Sequence, residues 1–427
     1  MKQLLEEITP KLKEAFSHLH NHAEISWNEY NTTTYLQRLL ESYGFEPHLL
    51  EESTGLYVEI GSGKPVIGLR TDIDALWQEV DGKFQANHSC GHDGHMTMAI
   101  GTLLLLQKLH TPEDGTIRVL FQPAEEKGQG ALHFIEQGLV DDINYLFGVH
   151  VRPIQELQDG TFSPAIYHGA ARLITGTIYG REAHGARPHL GKNAIEIGAS
   201  LVNALQSIHI DPLIPSSIKL TKFQAGAAAN VIPGKAEFCI DARSQKNEGI
   251  NALMNEFQSA IHGVETQYNI QIDYQIEANI AAAEVDEEAM QLMRQAIVDT
   301  VGEANTKPPI VTPGGEDFHF YTLKCPNVKA TMLGLGCGLQ PGLHHPKMTF
   351  NREALITGVE ILTRTVLNAV AYAKKEVTCN DYVKSTKNKC RDGASPTSRT
   401  SRLGYISDSN ASNINSGETW WYSHRCF

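Results

Sequence analysis

Apolar residues recur every three to four positions through KQLLEEITPKLKEAF and again after AEISWNEY, which predicts two amphipathic helices within residues 1–43. Four short apolar runs follow: GLYVEIG, PVIGLRTD, TIRVLFQ and INYLFGVHV. Each is too short for a helix, so each predicts a strand. Between the second and third, the stretch from His95 to Leu109 carries a strongly apolar middle, MAIGTLLLL, and predicts a long helix. Strands alternating with helices predict an α/β domain with a mostly parallel sheet covered on both faces.

The pattern changes near residue 168. AARLITGTIYG reads as a strand, NAIEIGASLVNALQSI as a helix, SIKLTKFQAG and KAEFCIDARS as strands, NEGINALMNEFQSAIHGVETQY as a helix and NIQIDYQIEA as a strand. The order β-α-β-β-α-β is that of a split βαβ, ferredoxin-like α+β unit. It predicts an insert over residues 168–280, interrupting an α/β domain built from residues 1–167 and 281–375. After it, EEAMQLMRQAIVDTVG and REALITGVEILTRTVLNAVAYAKK read as helices flanking the strand ATMLGLG. From about Glu376 onward Ser, Asn, Thr, Lys and Arg dominate and the periodicity stops, so residues 376–427 read as a disordered tail.

A length of 427 residues suits two domains, and a formal net charge of −13 argues against a nucleic-acid binder. By this reading no apolar run approaches bilayer length and the start is no secretory signal, so the expectation is a cytoplasmic protein with no membrane attachment. Seven widely spaced cysteines form no disulfide framework, and Cys239 and Cys325 read as ordinary thiols.

Chemistry concentrates after the strands, where open parallel sheets bind ligands. PVIGLRTDIDA delivers Asp72 and Asp74, TIRVLFQPAEE delivers Glu125 and Glu126, and INYLFGVHV delivers His150. NHSCGHDGH, just before a helix, supplies Cys90 and His92, and GLHHPKM supplies His344 and His345. Singly, each has an ordinary reading as a solvated acid or a satisfied histidine. Together they make a thiolate, imidazole and carboxylate set suited to Zn²⁺, Mn²⁺, Co²⁺ or Ni²⁺. Five candidate ligands exceed the three usual for one catalytic zinc, which points to two divalent ions. The adjacent Glu125 and Glu126 are expected to point in different directions, one to a metal and one free to take a proton. Asp72 is placed to orient a ligating imidazole.

The succession RTDIDA, SCGHDGH, FQPAEE, FGVH, AHGARPH, NVIPG, GGEDF and LHHP resembles the amidohydrolase subfamily of the aminoacylase and carboxypeptidase G metallopeptidases, which includes hippurate and indole-3-acetyl-amino-acid hydrolases. The likeness is greatest to bacterial amidohydrolases of the AmhX type and covers residues 1 to about 375. It implies a catalytic domain of zinc-aminopeptidase type and an inserted lid that dimerises. It also implies a two-metal centre of Cys90, His92, Glu126, His150 and His344, with Cys90 bridging. Glu125 matches the general base, and His184 a lid histidine that reaches an active site across a dimer interface. Asn230 and Arg243 match residues that hold the substrate carboxylate. Many members have proline where this chain has Trp77 and alanine at Thr71, and NHS replaces a usual M-H-A; Trp77 is expected to alter the pocket wall.

The resemblance therefore implies hydrolysis of small N-acyl amino acids by metal-activated water. A dipeptidase or an N-acetyl-diaminopimelate-type deacylase would use the same centre. A binding protein without catalysis would leave Glu125 unexplained, and a scaffold acting through the lid edge would leave the metal set unexplained.

Overall fold

The structure, a computed structural model, describes the backbone of residues 1–392 and the side chains of residues 1–375. Two helices open it, Lys2–Asn21 and Tyr30–Ser42. The first buries Leu5, Ile8, Leu12, Phe16 and Leu19, and the second Leu36 and Leu40. That spacing is one apolar stripe per helix, and both stripes enter the core shared with one face of the main sheet.

The sheet has seven strands in the order Pro47–Leu49, Leu56–Gly61, Thr116–Gln122, Val66–Asp72, Tyr145–Pro153, Lys329–Leu339 and Phe162–Ser163. The middle four run parallel to one another, and the strands outside them pair antiparallel. The sheet is thus mixed, where the sequence pattern predicted a mostly parallel one. The reason lies in the connections. The central strands are joined through helices such as His92–Leu109, whereas Pro47–Leu49 turns back on Leu56–Gly61 through a loop too short for a parallel crossover.

Alternate residues of the central strands enter two different cores. Ile67, Leu69, Ile117, Val119, Phe121, Phe147 and Val149 join one, while Val66, Leu120, Leu146 and Met332 join the other. Val66–Asp72 is buried at every position, as a strand covered on both faces must be. The helix His92–Leu109 is buried almost all round, which explains its lack of a polar stripe.

The insert forms a four-stranded antiparallel sheet in the order Ser216–Ala225, Lys235–Ser244, Ala170–Tyr179 and Gln271–Ile280. Ile174, Ile178, Phe238 and Ile240 of that sheet share a core with Ile197 and Leu201 of the helix Ala194–Gln206 and with Phe257 and Ile261 of the helix Asn247–Tyr268. This is the split βαβ order that the alternation of patterns predicted. Both sheets belong to one compact unit, Met1–Thr378.

The closing helix spans Ala354–Asp392, beyond the end of the apolar periodicity. The remainder of the expected tail lies outside the described residues. One correction concerns hydropathy: Ala354–Lys375 is long and apolar enough to cross a membrane by length and composition. Val359, Ile361, Leu362, Val366 and Ala369 on it are buried in the main core, so its apolar surface is occupied by protein.

Candidate metal centre

Parallel neighbours end on the same edge of a sheet, and that geometry assembles the site. Val66–Asp72 leads into Asp74, Thr116–Gln122 leads into Glu125 and Glu126, and Tyr145–Pro153 carries His150. The helix His92–Leu109 starts three residues before the His95 that the sequence pattern predicted, directly after Gly91, and brings its first residue to the same edge. Gly91 has φ 87°, and a Cβ there would stand 2.4 Å from Val151 Cγ2. Only glycine fits between Cys90 and His92.

The candidate ligands converge. Cys90 Sγ lies 3.6 Å from His150 Nε2. His92 Nε2 lies 3.8 Å from Glu125 Oε2 and 3.9 Å from Glu126 Oε1. His344 Nε2 lies 3.7 Å from Glu126 Oε2. Donor atoms fall into two overlapping clusters, Cys90–His92–His150 and Cys90–Glu126–His344, with Cys90 common to both.

The nitrogen–oxygen separations are long for hydrogen bonds. They suit a shared ion, since ligands about 2.0–2.3 Å from a tetrahedral metal stand roughly 3.3–3.8 Å apart. His92 Nε2 and Glu126 Oε1 are buried with no hydrogen-bond partner among the described residues. Buried polar atoms are normally satisfied, so two orphans facing one point fit a cation there.

The neighbours of these side chains fix their aim. His92 Nδ1 lies 2.9 Å from the Asp74 carbonyl oxygen and 3.2 Å from Asp74 Oδ1. Asp74 Oδ2 accepts from the Glu126 amide at 3.0 Å and from Ser26 Oγ at 2.7 Å. Asp72 stands 3.8 Å from His92 and bonds His95 Nδ1 at 2.8 Å instead. His95 Nε2 accepts from the Val151 amide, and His150 Nδ1 donates to the Val151 carbonyl. So Asp74 serves His92 directly, and Asp72 acts one residue further back. Gln78 ties the His344 loop to the Cys90 loop, donating to the His344 carbonyl and accepting from Ser89 Oγ, both at 2.8 Å.

Glu125 and Glu126 do not diverge as expected. Ala124 adopts φ 53°, and Glu125–Lys127 forms a single 3-10 turn that swings both carboxyls toward His92 Nε2. Behind Glu125 lies a fully buried Arg70, 2.7 Å from Asp72 and Asp317 and 3.1 Å from Glu316. Glu316 Oε2 is buried without a partner, and oxygens of Glu125, Glu316 and Asp317 lie within 4.8 Å of one another.

The electrostatics of the protein alone call for positive charge. Burial, then Glu316 and Glu126, push the Glu125 carboxyl well up. Burial lifts Glu126 to about 8 against the pull of His92, and raises the Cys90 thiol, with Glu126 adding to it. Burial, with His95 and Arg152, depresses His150. A divalent ion reverses the penalties on the carboxylates and the thiolate, and a His150 already held neutral is ready to ligate it.

Other residues singled out in the sequence lie elsewhere. His184 lies on the two-stranded ribbon Ala183–His184 and Val231–Ile232, with Asn230 just before its second strand, and both are exposed. Arg243 is half-exposed, paired with Asp241 at 2.9 Å and donating to the Pro313 carbonyl. No hydrogen bond or ion pair joins these three to the Cys90 clusters among the described residues. Trp77 is 60% exposed on a hairpin. His88 is buried with both ring nitrogens unpartnered, and His345 accepts from the Lys347 amide. The sequence pattern missed the roles of Gln78 and Ser26, because isolated polar residues in loops carry no periodic signal.

The profile of peptidase family M20/M25/M40 matches residues 68–368. The chain belongs to this family. The M20 chain is 30% identical to the N-acetylcysteine deacetylase of Bacillus subtilis, over 79% of its own length and 91% of that protein. It is 33% identical to the N-acyl-L-amino acid amidohydrolase of Geobacillus stearothermophilus, over 56% of its length and 68% of that protein. Its fold matches the crystal structure of the Bacillus subtilis YXEP protein, a dinuclear metal binding peptidase from the M20 family. That match has a TM-score of 0.71 at 26% identity and covers 88% of this chain and 99% of the other. This M20 protein is a hydrolase acting on amide bonds.

Proposed function

We propose that this M20 enzyme hydrolyses the amide bond of N-acyl amino acids at a two-metal centre held by Cys90, His92, Glu126, His150 and His344. The observation that carries the reading is the convergence of these five side chains on the unpartnered His92 Nε2 and Glu126 Oε1, with Glu125 alongside. The names of the relatives support the substrate class. Two divalent ions, Mn²⁺ or Zn²⁺ first and Co²⁺ or Ni²⁺ next, would supply Lewis acidity and a more acidic water.

The protein supplies the rest. Glu125, buried beside His92, takes the proton of the attacking water and delivers it to the departing amine. Cys90, shared by both clusters, would hold both ions. His184 donates to the developing oxyanion, and Asn230 and Arg243 hold the substrate carboxylate; the guanidinium matches a planar anion. The exposure of His184, away from the clusters of its own chain, supports a role in the site of a second subunit of a homodimer. In that reading residues 168–280 are the lid, and closure excludes water.

The test is to strip the metal, restore Mn²⁺ or Zn²⁺, and measure amine release from N-acyl amino acids, N-acetyl-diaminopimelate and dipeptides. Metal-dependent release from acyl amino acids is expected. Faster release from dipeptides or N-acetyl-diaminopimelate would reassign the substrate class, and failure to bind metal would overturn the centre.

A further inference from the structure

The segment between the first two helices does more than connect them. Ala124, immediately before Glu125 and Glu126, sits in the left-handed region at φ 53° without being glycine. That conformation is disfavoured for a residue with a Cβ, so something must hold it. Its amide donates to Glu29 Oε1 at 2.9 Å. The other carboxyl oxygen of Glu29 accepts from Thr54 Oγ1 at 2.7 Å.

Glu29 is itself fully buried and rooted. Its carbonyl accepts from both the amide and the hydroxyl of Thr33, at 2.9 Å and 2.7 Å, in the first turn of the helix Tyr30–Ser42. Thr33 Oγ1 in turn accepts from the Gly55 amide, next to Thr54. The same segment grips the catalytic loop at two further points. Ser26 Oγ donates to Asp74 Oδ2, which holds the Glu126 amide, and Trp27 Nε1 donates to Gln129 Oε1 at 2.7 Å. Residues 26–29 therefore brace both ends of the turn 124–129.

We propose that Glu29 is a positioning residue whose carboxyl group holds the Ala124 turn, and so aims Glu125 and Glu126 at the metal centre. One oxygen accepts from the Ala124 amide and the other from Thr54 Oγ1, a two-point anchor that suits a turn strained without it. Glu29 touches neither substrate nor reacting atoms; it acts through the backbone of Ala124. The inference rests on the proposed reaction for its kinetic readout, and on metal spectroscopy for an independent one.

The experiment compares wild type with Glu29→Ala and Glu29→Gln, full-length and loaded with Mn²⁺ for kinetics or Co²⁺ for visible absorption. Misplacing catalytic groups by about 1 Å costs on the order of 100-fold, so Glu29→Ala should lower kcat by about 10–100-fold with KM within about threefold. Its Co²⁺ bands should shift at unchanged metal stoichiometry. Glu29→Gln, whose amide oxygen still accepts from Ala124, should keep kcat within about threefold of wild type. Wild-type kcat in folded, loaded Glu29→Ala would overturn the assignment, as would equal loss in both variants. Should Glu29→Ala fail to fold, Thr54→Val removes only the second anchor and should lower kcat by about three- to tenfold; unchanged kcat would overturn the proposal. If the wild type hydrolyses no acyl amino acid, the proposed reaction fails, and the Co²⁺ spectra alone then decide Glu29.

Discussion

His92 turns its Nδ1 to Asp74, 2.9 Å from the carbonyl oxygen and 3.2 Å from Oδ1, and thereby leaves Nε2 as the ring atom facing the candidate centre. Because Asp74 also accepts from the Glu126 amide, one residue sets the aim of two candidate ligands. Loss of such orienting partners costs about 10–100-fold in metal affinity. Asp74→Ala should therefore weaken metal binding by about that factor, measured by competition with a chromophoric chelator. Wild-type affinity would show that His92 needs no orientation.

Glu125 is expected to take the proton without holding the metal. Glu125→Ala should retain metal by elemental analysis and lose turnover by about 10²–10⁴-fold. Retained turnover would remove it as the base.

His184 is exposed on its ribbon, and in the proposed dimer it serves the other subunit's site. His184→Ala should be inactive with normal metal content. Refolding His184→Ala together with Glu125→Ala should restore some activity, because one site of the mixed dimer is then intact in both groups. No recovery in a demonstrated mixed dimer would refute the cross-subunit role.

Arg70 is the cation paired with Asp72, Glu316 and Asp317 inside the core. Arg70→Met removes the cation and leaves the buried acids uncompensated, a change that costs about 3–5 kcal/mol. Denaturant unfolding checks it; a loss below about 1 kcal/mol would mean that the acids are protonated or rearranged.

His319 is buried against His168, with Nε2 3.0 Å from His168 Nδ1. Burial, then Arg70, depresses its pKa from 6.5 to about 3. The native state thus keeps it neutral, while the unfolded chain takes up a proton at the ordinary value. Stability is full above about 6.5 and falls as the pH drops toward 3, by about 1.4 kcal/mol per unit for each such group. His168 is depressed in the same direction, so it adds the same sign. His319→Gln should flatten that acid limb in urea titrations at several pH values; an unchanged slope would assign the limb to other groups.

The pattern of apolar positions was enough for most of the architecture. Strands such as Val66–Asp72 and Lys235–Ser244 and helices such as Asn247–Tyr268 are legible because burial imposes periods that a sequence displays directly. The split βαβ order of residues 168–280 followed from the alternation alone. The edge pairing was not legible, since the direction of a strand is set by its connections and not by its own residues.

The candidate site divides in the same way. The residue types that suit a divalent cation were determined by the sequence, and most of their places beyond strand ends with them: Cys90 and His92 around one glycine, Glu125 and Glu126 side by side, His344 far downstream; His150 sits inside the strand Tyr145–Pro153. Only the tertiary structure decided how they are aimed. The choice of Asp74 over Asp72 for His92, the left-handed Ala124 that turns both glutamates inward, and the reach of Glu29 and Gln78 into the loops are all contacts between distant segments. Periodicity records which face of an element is buried. It does not record which loop atom meets which, because a single hydrogen bond across the fold depends on the placement of whole elements and leaves no repeating trace in the chain.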